Sequence, residues 1–149
     1  MKQQHLNILL AEDDQDDHYL FELALKELKV SYKLTIVKDG AELMNYLSKH
    51  SDKLPDIIFL DLNMPGKNGF ETIVDISEIE KLKAIPLVIL TTSFTRDKDY
   101  EQGMIKQLFK LGADIFIRKP NSTEELKKLL SQALTLATDN TGMKYILNA

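Results

Sequence analysis

The chain contains no cysteine among its 149 residues. That excludes a disulfide scaffold and any thiolate metal site, and it fits a reducing compartment. A long apolar run is also missing: nothing approaches the roughly 20 residues that a membrane-spanning helix needs. The opening Met1-Lys2-Gln3-Gln4-His5 has neither the apolar stretch nor the small-residue cleavage site of a signal peptide, so a cytoplasmic protein is expected. Internal repeats, low-complexity tracts and interdomain linkers are absent, and the length suits one domain with a single core. Excess charge is lacking too. A formal net charge of −4, with 28% charged and 44% hydrophobic residues, argues against a nucleic-acid-coating protein and against disordered or fibrous classes.

What the chain does have is an alternation of strand-length apolar runs with segments of helical period. The runs are Leu6 to Ala11, Lys33 to Val37, Asp56 to Leu60, Leu87 to Leu90 and Asp114 to Arg118. Their apolar residues are mostly consecutive, as expected for strands covered on both faces of a parallel sheet. Between the first two runs, Leu20/Phe21, Ala24/Leu25 and Leu28 share one helix face, with Asp14 as a candidate N-cap. Asp39-Gly40-Ala41-Glu42 opens a helix with the stripe Leu43, Met44 and Leu47, and a third helix should follow Asn68-Gly69. Ile105, Leu108, Phe109 and Leu111 form the fourth apolar face, stopped by Gly112. Ser122-Thr123-Glu124-Glu125 reads as a capping box before the last stripe, Leu126, Leu129/Leu130 and Leu134. Five β/α units are too few to close an eight-stranded barrel, so an open doubly wound sheet is expected, with helices on both faces. The order adopted is the flavodoxin-like 2-1-3-4-5, borrowed from that fold and not deduced from spacing.

Three of the strand ends carry chemistry. Ile8-Leu9-Leu10-Ala11 runs into Glu12-Asp13-Asp14, Ile57-Ile58-Phe59-Leu60 into Asp61, and Ile115-Phe116-Ile117-Arg118 into Lys119-Pro120. In the borrowed order, strands one and three are neighbours at the switch point, so Glu12, Asp13 and Asp61 face one another and Lys119 approaches from the far side. Clustered carboxylates raise one another's pKa, and a divalent cation relieves the repulsion. Oxygen ligands without cysteine or a nearby histidine favour Mg²⁺, with Mn²⁺ as the alternative, and Mg²⁺ commonly shares its shell with phosphate oxygens. A carboxylate can itself accept a phosphoryl group, and Asp61 is best placed to do so. Thr91, ending the fourth strand, offers a hydroxyl at the same rim. His5, His18 and His50 show no metal-like spacing.

The motifs Ile8-Leu9-Leu10-Ala11-Glu12-Asp13-Asp14, Leu60-Asp61-Leu62-Asn63-Met64-Pro65-Gly66, Thr91-Thr92-Ser93 and Lys119-Pro120 occur in that order. Together they resemble the receiver domain of two-component response regulators, over residues 1 to 136, with 137 to 149 as an extension that is no output domain. The resemblance implies that Asp61 takes a phosphoryl group from a sensor histidine kinase or a histidine phosphotransfer protein. It implies that Glu12, Asp13, Asp61 and the Asn63 backbone carbonyl hold Mg²⁺, and that Thr91 and Lys119 bind phosphoryl oxygens. Phe116 matches the aromatic position that turns inward when the threonine moves toward the phosphate. The output is then a surface, formed by the fourth of the five expected helices, the fifth strand and the last helix, that docks a downstream effector or a second copy of the chain. Direct contact with nucleic acid or membrane is not implied.

Other readings attach to single residues. Asp14 is read as the helix cap and not as a metal ligand, and Phe116 also serves as plain core. Lys119-Pro120 fixes a turn, in either peptide isomer, that aims the lysine inward. Thr92 is bulkier than the alanine or glycine many receivers carry beside the threonine, which restricts the approach of water. The segment Phe94 to Met104 looks several residues longer than usual, so the fourth helix or the loop before it is extended. Met143-Lys144-Tyr145-Ile146-Leu147 is an apolar tail that packs on the body, pairs across a dimer or stays disordered. The rival function is an aspartyl-nucleophile phosphohydrolase of the haloacid dehalogenase-like type. Asn63 stands two residues after Asp61, where those enzymes carry a second acid. A phosphorylation-independent interaction module is the remaining alternative.

Overall fold

The computed structural model describes residues 5–64, 66–92, 97–139 and 142–148. Pro65 and Ser93 of the motifs, residues 94–96 of the long segment and residues 140–141 lie outside them. The chain order is β1 (Leu6–Ala11), α1 (Gln15–Glu27), β2 (Tyr32–Val37), α2 (Gly40–Lys49), β3 (Ile57–Leu60), α3 (Gly69–Ser77), α4 (Glu80–Lys83), β4 (Leu87–Thr91), α5 (Lys98–Leu111), β5 (Ile115–Arg118), α6 (Thr123–Asp139) and β6 (Tyr145–Leu147). All strands pair in parallel, in the order β2-β1-β3-β4-β5-β6.

Five of these strands follow the expected order, and the sixth corrects the count. The tail pairs with β5, in the register Ile115↔Tyr145, Phe116↔Ile146 and Ile117↔Leu147. Asp114 anchors this edge: its carbonyl accepts from the Tyr145 amide at 3.1 Å and its carboxylate pairs with Lys144 at 3.2 Å. A parallel neighbour needs a long crossover, which the 17-residue α6 supplies. The second addition is α4, a single turn that drops Leu82 into the core.

The sheet separates two apolar layers. Leu9, Ala11, Ile58, Leu60, Leu87, Ile89 and Phe116 face the side covered by α2, α3, α4 and α5. Ile8, Leu10, Ile57, Phe59, Val88, Leu90, Ile115 and Ile117 face α1 and α6, where Phe21 meets Phe59 edge-on at 5.0 Å between ring centroids. This two-sided burial explains the consecutive apolar runs of the inner strands.

Side chains fix the helix starts that frame the crevice. Asp14 caps α1 by accepting from the Asp16 and Asp17 amides at 2.8 and 3.1 Å, and Asp39 caps α2 by accepting from the Glu42 amide at 2.8 Å. Asn68 and Glu71 form a reciprocal capping box on α3. Gly69 packs so tightly under the turn after β3 that an added Cβ would lie 2.7 Å from the Leu62 Cα. Within the segment read as longer than usual, the described residues from Lys98 onward belong to α5, which Asp97 caps and which runs 14 residues to Leu111. The Lys119–Pro120 peptide is trans.

Candidate functional site

Register builds the site. Ala11 pairs with Leu60, so Glu12 and Asp61 emerge side by side, one residue beyond each strand. The Asp61 amide donates to the Ala11 carbonyl at 3.0 Å, and the Glu12 amide donates to the Val37 carbonyl at 2.9 Å, tying both into the ladder. Carboxylate oxygens of Glu12, Asp13 and Asp61 lie within 4.8 Å of one another, with Glu12 and Asp61 buried and Asp13 exposed. The first of the expected clusters is therefore assembled as drawn from the strand ends.

Lys119 arrives from the other side. The strand pairing of Thr91 with Arg118 continues as a bond from the Lys119 amide to the Thr91 carbonyl at 2.8 Å. The ammonium forms ion pairs with Glu12, with Asp17 at 2.8 Å and with Asp61 at 3.6 Å. Thr91 is 1% exposed, and its hydroxyl accepts from the Asn63 side-chain amide at 3.4 Å. The Asn63 backbone amide donates to the Asp61 carboxylate at 3.0 Å. Phe116 is 1% exposed, packed in the α5-side layer beside α5.

The electrostatics follow from this crowding. Burial, reinforced by the neighbouring Asp61, pushes the Glu12 carboxyl up to about 9 despite the pull of Lys119. Burial disfavours the Lys119 ammonium, yet hydrogen bonds to Asp17 and Glu12 hold it above the ordinary lysine range. Partial burial also opposes the Asp17 charge, but the hydrogen bond from Lys119 prevails and its pKa is lowered. One ammonium thus faces three acidic side chains while Asp13 stands beside them, and a divalent cation would favour the charged form of Glu12 that burial disfavours. All the donors in the cluster are oxygens, which matches Mg²⁺ or Mn²⁺ rather than zinc.

Two neighbours were missed by the motif reading. Asp17, in the first turn of α1, is a third acid on Lys119. His18, one residue on, donates from Nε2 to the Glu12 carbonyl. The only signal for either was the run Asp13-Asp14-Gln15-Asp16-Asp17, more acid than one helix cap requires.

An open doubly wound sheet with its polar residues gathered where the strand order reverses is the class of α/β protein that binds ligands at the carboxyl ends of its strands. The profile of the response regulator receiver domain matches residues 8–131, and the chain belongs to that family. It is 32% identical over 127 residues to the response regulator Rcp1 of Synechocystis sp., covering 83% of this chain and 82% of Rcp1. It is also 32% identical over 128 residues to the probable methanogenesis regulatory protein FilR2 of Methanothrix harundinacea, covering 84% of this chain and 79% of FilR2. Among solved structures, the phosphorylated cyanobacterial phytochrome response regulator RcpA superposes with a TM-score of 0.78 at 30% identity, covering 93% of this chain and 97% of that one. The Mn²⁺-bound form of Rcp1 superposes with a TM-score of 0.74 at 28% identity, covering 91% and 96%. No described helix is long and apolar enough to cross a membrane.

Proposed function

We propose that the protein is a phosphorylation-dependent signalling receiver in which Asp61 accepts a phosphoryl group from a sensor histidine kinase or a histidine phosphotransfer protein. The observation that carries this reading is the position of Asp61. Its carboxylate lies within 4.8 Å of ligand oxygens of Glu12 and Asp13 and 3.6 Å from the Lys119 ammonium. Glu12, Asp13 and Asp61 would hold Mg²⁺ through their carboxylates, with the Asn63 carbonyl completing the set, and when bound the cation would supply positive charge for the transferring group.

The remaining steps belong to the chain's own groups. An Asp61 oxygen attacks phosphorus in line, and the bond from phosphorus to the donor atom breaks, leaving the electron pair on the donor. Lys119 supplies a cation for the phosphoryl oxygens, and Thr91 supplies a hydroxyl in exchange for its bond from Asn63. A shift of Thr91, whose β5 partner is Arg118, together with Phe116 two residues earlier on that strand, biases the packing of α5 against β5 and α6. That face is the output surface for an effector or a second copy of the chain, and the protein works as a cytoplasmic receiver. The phosphohydrolase alternative asks for an acid at position 63, where an asparagine instead bonds Thr91.

Intact-protein mass spectrometry after incubation with acetyl phosphate and Mg²⁺ tests this reading. One labile phosphoryl adduct on the wild type, absent from Asp61→Asn, is expected. Continuous turnover of phosphate esters without an adduct would instead favour the hydrolase. No adduct and no turnover, with cation binding demonstrated, would favour the phosphorylation-independent module.

A further inference from the structure

Asp17 lies outside the motifs that mark the site, yet it holds the same ammonium as they do. We propose that Asp17 is a positioning residue that parks Lys119 toward α1, so that Lys119 must release it to reach the phosphoryl group and phosphorylation of Asp61 is slowed. This rests on the reading of Asp61 as the acceptor.

The geometry is a competition for one ammonium with three donor hydrogens. Asp17 Oδ2 is 2.8 Å from Nζ and Asp61 Oδ2 is 3.6 Å away, so the lysine sits nearer the helix than the acceptor. Glu12 also holds Nζ, but it belongs to the acidic cluster suited to a cation. With Glu12 shared in that way, Asp17 is the anchor of Lys119 that stands outside the Glu12, Asp13 and Asp61 cluster. Its own position is firm: the Asp17 amide donates to the Asp14 cap at 3.1 Å, and the adjacent His18 ring bonds the Glu12 carbonyl. A cleft of about 130 Å³, lined by Asp17, Leu20, Thr92 and Asn121, lies beside Lys119 and gives its side chain room to move. Asp17 also places a negative charge near the path of an anionic phosphodonor.

The test compares wild type, Asp17→Asn and Asp17→Glu with acetyl phosphate at saturating Mg²⁺. The reaction is the same in each: an Asp61 oxygen bonds to phosphorus, the bond from phosphorus to the acetyl oxygen breaks, and acetate leaves with the electron pair. Asp17→Asn keeps the shape and removes the charge. Because the Asp17 side chain is 36% exposed, the lost pair is discounted for solvent, and the phosphorylation rate should rise about three- to tenfold. Asp17→Glu restores the carboxylate and should return the rate toward wild type, which a merely structural role for Asp17 would not produce. The Mg²⁺ dissociation constant from calorimetry should stay essentially the same in all three. If Asp17→Asn melts abnormally, Asp17→Ser takes its place with the same expected increase.

Equal rates in all variants, or a slower Asp17→Asn, would overturn the parking role while the wild-type adduct leaves the Asp61 reading standing. No adduct on the wild type would overturn both.

Discussion

Lys119 and Thr92 flank the same cleft, one reaching into the acidic cluster and one exposed at its rim. Thr92 directly follows Thr91, whose hydroxyl lies among the residues proposed to meet the phosphoryl group. If Asp61 is phosphorylated as proposed, a β-branched hydroxylated side chain there would narrow the path along which water attacks the aspartyl phosphate. Thr92→Ala should therefore shorten the phosphoryl half-life by a few-fold after the donor is removed, while leaving the Mg²⁺ requirement in place. Matching decay curves for the two proteins would sink the idea. Residue identity made the acids and the lysine readable because each directly follows a buried apolar strand: Glu12 after Ala11, Asp61 after Leu60, Lys119 after Arg118. Asp17 was not readable in that way. It projects from a helix, and which way the first turn of α1 faces is decided by packing against the sheet, through Phe21, Ala24 and Leu25, and not by strand-end spacing.

At the scale of elements, the outermost strand has a sharp side preference. Tyr145 and Leu147 are half-buried against the layer that includes α6, whereas Ile146 points away and is 49% exposed. Leu147→Ala should cost about 1 kcal/mol, because a half-buried leucine gives up part of its transfer energy. Ile146→Ala should stay within about 0.5 kcal/mol. Urea unfolding of the two variants checks this, and equal losses would mean that β6 is not docked in solution. The same element shows why parts of the fold escaped the sequence. The inner strands announce themselves because both their faces are buried. A three-residue strand such as β6 has too short a pattern to be distinguished from an apolar tail, and its pairing with β5 is made only after 17 residues of helix have reversed the chain. Likewise α4 has one buried residue, Leu82, and no periodicity to display. Asp56 and Asp114 were counted within strands but stand just before them. Asp56 accepts from the Asn7 amide at 2.8 Å and Asp114 from the Leu87 amide at 2.9 Å, which staples neighbouring strand starts together.

At the scale of the whole molecule, the acidic site should couple stability to pH and, on the proposed reading, to divalent cations. The ordinary carboxyl value for Glu12 is 4.5, and burial beside Asp61 raises it to about 9. Between those values the folded protein holds a proton that the unfolded chain has released. Stability therefore falls as pH rises through that window, with a limiting slope of about 1.4 kcal/mol per pH unit for one proton. The other two shifts act outside it. The lowered Asp17 contributes stability that is already present above its ordinary 3.8, and the raised Lys119 contributes stability that is complete below its ordinary 10.5. Thermal melts of chelator-treated protein from pH 6 to 9 should accordingly show a declining midpoint. Saturating Mg²⁺ should raise the midpoint at every pH, by about 1.4 kcal/mol of stability for each tenfold excess over the dissociation constant. The gain should grow with pH, because the cation favours the deprotonated carboxyl that burial disfavours. A midpoint that declines equally with and without Mg²⁺ would place the cation away from Glu12, whereas convergence of the two curves toward low pH would tie both effects to the same carboxylate.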